Sequence, residues 1–256
     1  MLSKTKTKFI ISLQKKKTRD SERLFVIEGD KIVKEFILAG APVKTVVGKP
    51  EFIASLPQQQ INNIDEIIPV SYDELKKISS LTAPHNALAI VAMPPDDDSS
   101  TSFDGLAVAL DCIQDPGNLG TIIRAAAWFG IKKIFCSHNC CDVYNAKVIQ
   151  ASMGAILHVD VNYTELNLLL TNTHASNIPI YGALLQGENI YKSDLSKDGL
   201  ILLGNESKGI SDDSIKYISH PIMIPRRGHD SVYGIDSLNV GMAASVIFSE
   251  FARRRV

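Results

Sequence analysis

Asp111-Cys-Ile-Gln-Asp-Pro-Gly-Asn-Leu-Gly-Thr-Ile-Ile-Arg124 carries the chain from an apolar run through a short polar turn into a helix rich in Ala and Ile. The run before it, residues 106–110, is five apolar residues without a charge, the length and composition of a buried strand. A strand feeding a helix through a tight turn opens a parallel α/β unit. The pattern recurs downstream. Strands are expected at 106–110, 133–136, 178–184, 200–203 and 221–224, and helices at 119–129, 144–152, 164–170 and 238–253. Such alternation predicts a parallel sheet covered on both faces, with ligands at the carboxyl ends of its strands. The quoted turn sits at one such end.

Two other stretches belong with it: Leu203-Gly-Asn-Glu-Ser-Lys-Gly209, and Ile224-Pro225 followed by Ser237-Leu-Asn-Val240. Each lies at an expected strand end or at a turn into a helix, which points to one composite site. No G-x-G-x-x-G follows any strand, so an ordinary dinucleotide-binding turn is disfavoured. Pro116-Gly-Asn-Leu-Gly120 instead offers backbone donors at a helix amino end, suited to an oxyanion or a polar substrate edge. The same residues read equally well as plain helix capping by Asp115 or Asn118. Arg124 is either a snorkelling surface residue or a cation facing the same sheet end as Asn118. Glu206 is either a turn residue or a carboxylate presented by a glycine-flanked loop.

Further out, Met93-Pro-Pro-Asp-Asp-Asp-Ser-Ser-Thr-Ser102 stops the preceding strand and cannot pack. It divides the chain into a domain at 1–93, a linker at 94–104 and a larger domain at 105–256. In the first, Ile32, Val33, Phe36 and Ile37 share a helix face that Gly40 can close in a left-handed conformation. Residues 43–47 and 87–91 read as strands, and Ser71 with Glu74 has capping-box spacing. In the second, Val240, Ala243, Ala244, Ile247, Phe248 and Phe251 recur at helical spacing, and Gly241 and Ala243-Ala244 are small enough to let another helix approach.

With 45% hydrophobic and 21% charged residues the composition is that of an ordinary globular protein, and no apolar run approaches the roughly 20 residues a membrane span needs. The basic start lacks the apolar core and cleavage site of a signal peptide. Cysteines 112, 136, 140 and 141 suit a reducing cytoplasm. Cys136-x-His138-x-Cys140-Cys141 lacks the separated ligand pairs of a zinc site, so no metal is expected. Net charge is −1, but residues 1–19 hold seven cations (Lys4, Lys6, Lys8, Lys15, Lys16, Lys17, Arg19) and no acid. Such a cluster can neutralise phosphates. Taken alone, it reads as a solvated, partly frayed terminus. Arg253-Arg-Arg255 either adds a second basic cluster or complements the last turn of its helix.

Asp115-Pro-Gly-Asn-Leu-Gly with Arg124, Gly204-Asn-Glu206 with Gly209, and Ile224-Pro225 with Ser237-Leu-Asn-Val240 resemble, in order, the three motifs of the SpoU (TrmH-type) RNA ribose 2′-O-methyltransferases of the SPOUT superfamily. Ser152-Met-Gly-Ala155 resembles a further family segment. Phe25-Val-Ile-Glu-Gly29 and its following helix resemble the L30e-like RNA-binding domain that often precedes the catalytic one. The resemblance implies an α/β domain whose carboxyl-terminal segment forms a deep trefoil knot, and a homodimer through that knot with the active site near the subunit interface. It implies S-adenosyl-L-methionine as cofactor, held largely through backbone by Leu203, Gly204, Ile224 and Leu238. It also implies structured RNA as substrate, with rRNA favoured over tRNA.

Methyl transfer is an in-line displacement, so the tasks are alignment and activation of a ribose hydroxyl. Arg124 is the residue that the resemblance sets on that hydroxyl. A guanidinium keeps its proton in proteins, which favours stabilisation of the forming alkoxide over a general-base role. Asn118, Glu206, Ser237 and Asn239 would position Arg124, the ribose and the loops. One departure stands out: Arg226 to Asp236 is longer than the family spacing. Its Arg226, Arg227, His229 and Tyr233 either add RNA contacts or disturb the cofactor pocket, leaving a catalytically silent RNA-binding or ribosome-assembly factor.

Overall fold

The computed structural model describes residues 2–95, 101–226 and 237–254. They divide into two compact units, Met1–Asp96 with Tyr144–Leu157, and Asp97–Val143 with His158–Val256.

The first unit runs α1 (Lys4–Ser12), α2 (Lys16–Glu22), β1 (Leu24–Glu28), α3 (Asp30–Leu38), β2 (Val43–Gly48), α4 (Pro50–Ala54), α5 (Gln58–Ile61), β3 (Glu66–Pro69), α6 (Tyr72–Ile78) and β4 (Ala87–Ala92). Its sheet has the order β1-β4-β2-β3. Strand β4 is antiparallel to β1 and β2, while β3 runs parallel to β2. The apolar face of α3 packs on Phe25, Ile27, Val46 and Val91, and Gly40 follows the helix at φ +70°. Ser71 and Glu74 form a reciprocal capping box at the start of α6.

The basic amino terminus corrects an expectation. It is not frayed but forms α1 and α2, because Ile10 and Leu13 bury themselves against Val47, Leu75 and Ile78. Arg19 is buried too, and its guanidinium donates to the carbonyls of Leu13 (3.0 Å) and Gln14 (2.7 Å). Lys6 pairs with Glu66 and Lys16 with Asp20. Three of the seven cations therefore serve the fold.

The second unit contains β5 (Leu106–Leu110), α7 (Pro116–Trp128) and β6 (Lys133–Ser137). Next along the chain come α8 (Ala146–Ser152) and a 3-10 turn (Ala155–Leu157), which belong to the first unit. The second unit resumes with β7 (Asp160–Thr164), α9 (Leu166–Ala175), β8 (Ile180–Asn189), β9 (Gly199–Leu203), α10 (Asp212–Ile215), β10 (His220–Met223) and α11 (Val240–Arg253). Six parallel strands stand in the order β10-β8-β9-β5-β6-β7. Leu166, Leu169 and Leu170 of α9 cover one group of strand residues (Ala107, Ala109, Phe135, Leu200 and Leu202). Elsewhere Phe251 of α11 meets Tyr181 of β8 edge-on at 4.9 Å. Helices α7 and α11 lie against each other, with Gly241 so near Thr121 that an added Cβ would sit 3.0 Å from its methyl group. The small residue thus serves a helix contact within the chain.

Three differences from the sequence reading have physical causes. The helix expected at 164–170 starts later, because Thr164 ends β7, an edge strand (Asp160-Val-Asn-Tyr-Thr164) with no apolar run to announce it. Strand β8 continues to Asn189, past the expected end at 184. Finally, the expected domain at 105–256 lends Tyr144–Leu157 to the first unit. There Ile149 joins the core, the Tyr144 ring lies 4.6 Å from Phe25, and Gln150 Nε2 donates to the Glu28 carbonyl at 2.7 Å.

Of the terminal arginines, Arg253 and Arg254 sit at the end of α11, and Arg255 lies outside the described residues. Arg253 and Arg254 both donate to the buried Glu250, and Arg254 also reaches the carbonyls of Ser193 and Ile190. Arg253, then Arg254, hold the Glu250 carboxyl down at about 2, below its ordinary 4.5. A carboxylate whose pKa falls on folding contributes stability above its unfolded pKa, lost as pH drops through the folded one. Because Arg253 is largely exposed, water screens part of the attraction, and about 1–2 kcal/mol is expected. Melting temperature followed from pH 5 down to about 2 should fall less steeply in Glu250→Gln than in the parent; parallel curves would refute the contribution.

Candidate active site

The sheet changes direction between β5 and β9. From β5 the chain builds outward through β6 and β7, then returns to the other side for β8, β9 and β10. The crevice beyond such a switch point is where open α/β sheets bind ligands. Two of the three sequence stretches leave the sheet there. Asp111 follows β5 and its N–H donates to the Leu203 carbonyl at the end of β9 (2.8 Å).

Asp115 caps α7, its side chain accepting the Asn118 N–H at 2.8 Å. This settles which residue caps the helix and frees the Asn118 side chain. Asn118 Nδ2 donates to Glu206 Oε1 at 2.9 Å, and its Oδ1 accepts from Asn239 Nδ2 at 2.8 Å. Asn239 in turn caps α11, its Oδ1 accepting the N–H groups of Gly241 (3.0 Å) and Met242 (3.2 Å). The amide orientations follow from chemistry: an ionised carboxylate only accepts, so Asn118 must turn its NH2 to Glu206 and its oxygen to Asn239. One line of hydrogen bonds therefore runs from the positive end of α11 to a carboxylate, joining all three stretches.

Gly204 opens a tight loop. Asn205 and Gly209 exchange backbone hydrogen bonds of 2.9 Å, and Asn205 Nδ2 donates to the Cys112 carbonyl at 2.8 Å. An added Cβ on Gly204 would lie 2.2 Å from backbone atoms of Gly209 and Ile210, so only glycine fits.

The other expected residues are more dispersed. Leu203 is buried at the end of β9, whereas Ile224 follows β10, which β8 separates from β9. Leu238 is 52% exposed beside Asn239, and Ser237 is also exposed. Arg124 is exposed on α7, six residues past Asn118, about 9 Å along the axis and roughly 120° around it. It is not part of the Glu206–Asn118–Asn239 line. Arg227, His229 and Tyr233 lie outside the described residues.

The cysteines pack around the exit of β5. Cys140 Sγ accepts the Ile113 N–H at 3.3 Å, and contacts with Cys136 and then Ser137 bring its thiol down to about 7 against the opposing effect of burial. Burial instead pushes Cys141 up to about 12. His138 pairs with Glu165 at 3.3 Å. Among the described residues no group of three or more His, Cys, Asp or Glu is arranged to hold a metal.

The first unit carries a groove of about 800 Å³ lined by Asp30, Lys31, Lys34, Lys49, Glu51, Phe52, Ser55 and Asn86. Asp30 accepts from Asn86 through both carboxylate oxygens, and Lys49 Nζ stands 5.3 Å from the Tyr72 ring centroid. Sequence reading overlooked these lysines. The available signal was Lys31 and Lys34, one turn apart on the polar side of α3.

The model of the SpoU rRNA Methylase family matches residues 105–249. The chain belongs to this family. Ahead of the SpoU region, the model of the MRM3-like substrate binding domain matches residues 4–89. A Bacillus subtilis relative, the 23S rRNA (guanosine(2553)-2′-O)-methyltransferase RlmP, is 26% identical over 236 residues, covering 92% of this chain and 91% of its own. A solved TrmH-family structure from Porphyromonas gingivalis superposes with a TM-score of 0.88 at 33% identity, covering 99% of both chains. The AdoMet-bound rRNA methyltransferase of Sinorhizobium meliloti gives a TM-score of 0.86 at 26% identity, with 100% of this chain and 97% of that chain covered.

Proposed function

We infer that this SpoU-family chain is an S-adenosyl-L-methionine-dependent RNA methyltransferase acting on a ribose 2′-hydroxyl of ribosomal RNA in the cytoplasm. The observation that carries this reading is the hydrogen-bonded line Glu206–Asn118–Asn239, which ties the three motif segments together at the switch point of the sheet.

The residues fit the cofactor by their chemistry. Leu203, Gly204, Ile224 and Leu238 offer main chain and apolar side chains, suited to an adenine ring and a ribose. When bound, S-adenosyl-L-methionine supplies an electrophilic methyl group. Glu206, Asn118 and Asn239 hold the β9 and β5 exits in register with the start of α11. Exposed Ser237 is a polar group beside this line. Arg124 presents an exposed guanidinium to incoming RNA and stabilises the hydroxyl oxygen as it gains negative charge.

The groove of the first unit supports RNA as substrate, since Lys31, Lys34 and Lys49 can neutralise phosphates and Tyr72 can stack on a base. We also infer a homodimer, with the carboxyl-terminal segment threaded as a knot. Trp128 (84% exposed) and Met242 (60% exposed) leave apolar surface on the adjoining helices α7 and α11 for a second copy to cover.

Transfer of a labelled methyl group to unmodified rRNA and, separately, tRNA, followed by nucleoside analysis, tests the reading. A 2′-O-methylnucleoside in rRNA alone is expected; transfer to tRNA alone would reassign the substrate. RNA binding without cofactor binding or transfer would identify a silent binding factor. Sedimentation of the same preparation as a monomer would overturn the dimer.

A further inference from the structure

The loop that carries Glu206 is tied down at its far end by two residues outside the motifs. Asp111, the first residue after β5, is only 8% exposed. Its Oδ2 accepts two hydrogen bonds from one residue, Ser211: from the backbone N–H at 2.9 Å and from the hydroxyl at 2.7 Å. Ser211 Oγ also lies 3.0 Å from Oγ of the buried Ser214, at the start of α10. The chain thus leaves β9 beside β5, makes the turn 204–210, and is fastened back to the β5 exit one residue before Cys112, whose carbonyl holds Asn205. Both ends of the loop are therefore referred to residues 111–112, the same segment that leads to Asn118.

Two donors converging on one carboxylate oxygen make charge-assisted bonds, which are shorter and stronger than neutral ones. An amide at position 111 would keep an acceptor oxygen without the charge, and alanine would keep none. Asp115, not Asp111, caps α7, so helix capping does not account for the carboxylate at position 111.

We propose that Asp111 and Ser211 are positioning residues: their latch sets where Gly204 and Glu206 stand relative to Asn118, and so governs cofactor affinity and alignment. This rests on the methyltransferase reading above. The latch acts through the loop and touches neither substrate nor methyl group.

The test uses the full chain with Asp111→Ala, Asp111→Asn, Ser211→Ala, Ser211→Thr and the double alanine variant. Four quantities are measured: S-adenosyl-L-methionine affinity by calorimetry, kcat, KM for RNA, and hydrogen exchange of the 204–210 amides. Ser211→Ala and Asp111→Ala should each weaken cofactor binding on the order of ten-fold, with KM for RNA unchanged. The double variant should lose no more than Asp111→Ala alone, because that change already removes both bonds of the latch, whereas Ser211→Ala leaves the backbone N–H bond in place. Ser211→Thr, which keeps both donors, should restore parental affinity, and Asp111→Asn should fall between. Faster exchange at Asn205 and Gly209 is expected wherever affinity drops. Unchanged affinity per folded molecule, whether or not melting temperature falls, would overturn the positioning role. Unchanged loop exchange would overturn the latch itself. A parent chain that binds no cofactor, with loop exchange still raised in Ser211→Ala, would sink the methyltransferase reading and the latch's cofactor role while leaving the loop attachment intact.

Discussion

Arg124→Ala is expected to slow methyl transfer by about a hundred- to a thousand-fold, the cost of removing a donor that stabilises a developing oxyanion, while cofactor affinity and melting temperature stay at parental values. The separation follows from where the side chain sits. Ile122, Ile123, Ala125 and Ala126 are the buried residues of that part of α7, and Arg124 stands exposed between them. Among the described residues no hydrogen bond or ion pair engages its guanidinium. Truncating such a side chain usually changes stability by no more than about 0.5 kcal/mol. Its loss is therefore expected to show in the reaction and not in the fold. Arg124→Lys should recover only part of the rate, because an ammonium keeps the charge but loses the planar fork of donors. Single-turnover transfer with calorimetric cofactor titration separates the two effects. Full rate in Arg124→Ala would remove this residue from the reaction; lost cofactor binding would move it into the cofactor pocket.

What the sequence made legible here is tied to local chemistry. The β5–α7 passage, the helical spacing of α11 and the Ser71–Glu74 capping box are each specified within a dozen residues, so each could be read before folding. Asn118 shows the limit. Its position allowed either a helix cap or a site residue, and only the structure, with Asp115 taking the cap, gives the amide to Glu206 and Asn239. Asn239 does both at once, capping α11 with its oxygen and donating to Asn118 with its nitrogen. Contacts between distant segments were not legible. Ser211 meets Asp111 across 100 residues of chain, and Ile149 completes a core begun at Phe25. Strand β7 went unseen because an edge strand needs little apolar surface, and the amino-terminal helices because seven cations masked two buried anchors, Ile10 and Leu13.

Gly204→Ala is expected to damage cofactor binding severely while leaving every polar side chain intact. The added methyl carbon would lie 2.2 Å from Gly209 C and Ile210 N and 2.5 Å from Gly209 O. All three are main-chain atoms, so no rotamer change relieves the clash; the loop itself must open. Opening it strains the paired hydrogen bonds between Asn205 and Gly209 and displaces Glu206 from Asn118. Overpacking of this kind costs about 1–3 kcal/mol where neighbours can shift. If the loop opens to admit the methyl, part of that cost appears as lost cofactor binding instead of lost stability. Gly209 provides the control. It has φ +71° but nothing within 4 Å of a built Cβ. Gly209→Ala therefore carries backbone strain alone, about 1 kcal/mol for a left-handed alanine, and should bind cofactor more tightly than Gly204→Ala. Cofactor titration and thermal melting of the two variants side by side decide the matter. Equal, small losses in both would mean that the close approach at Gly204 is not what shapes the loop.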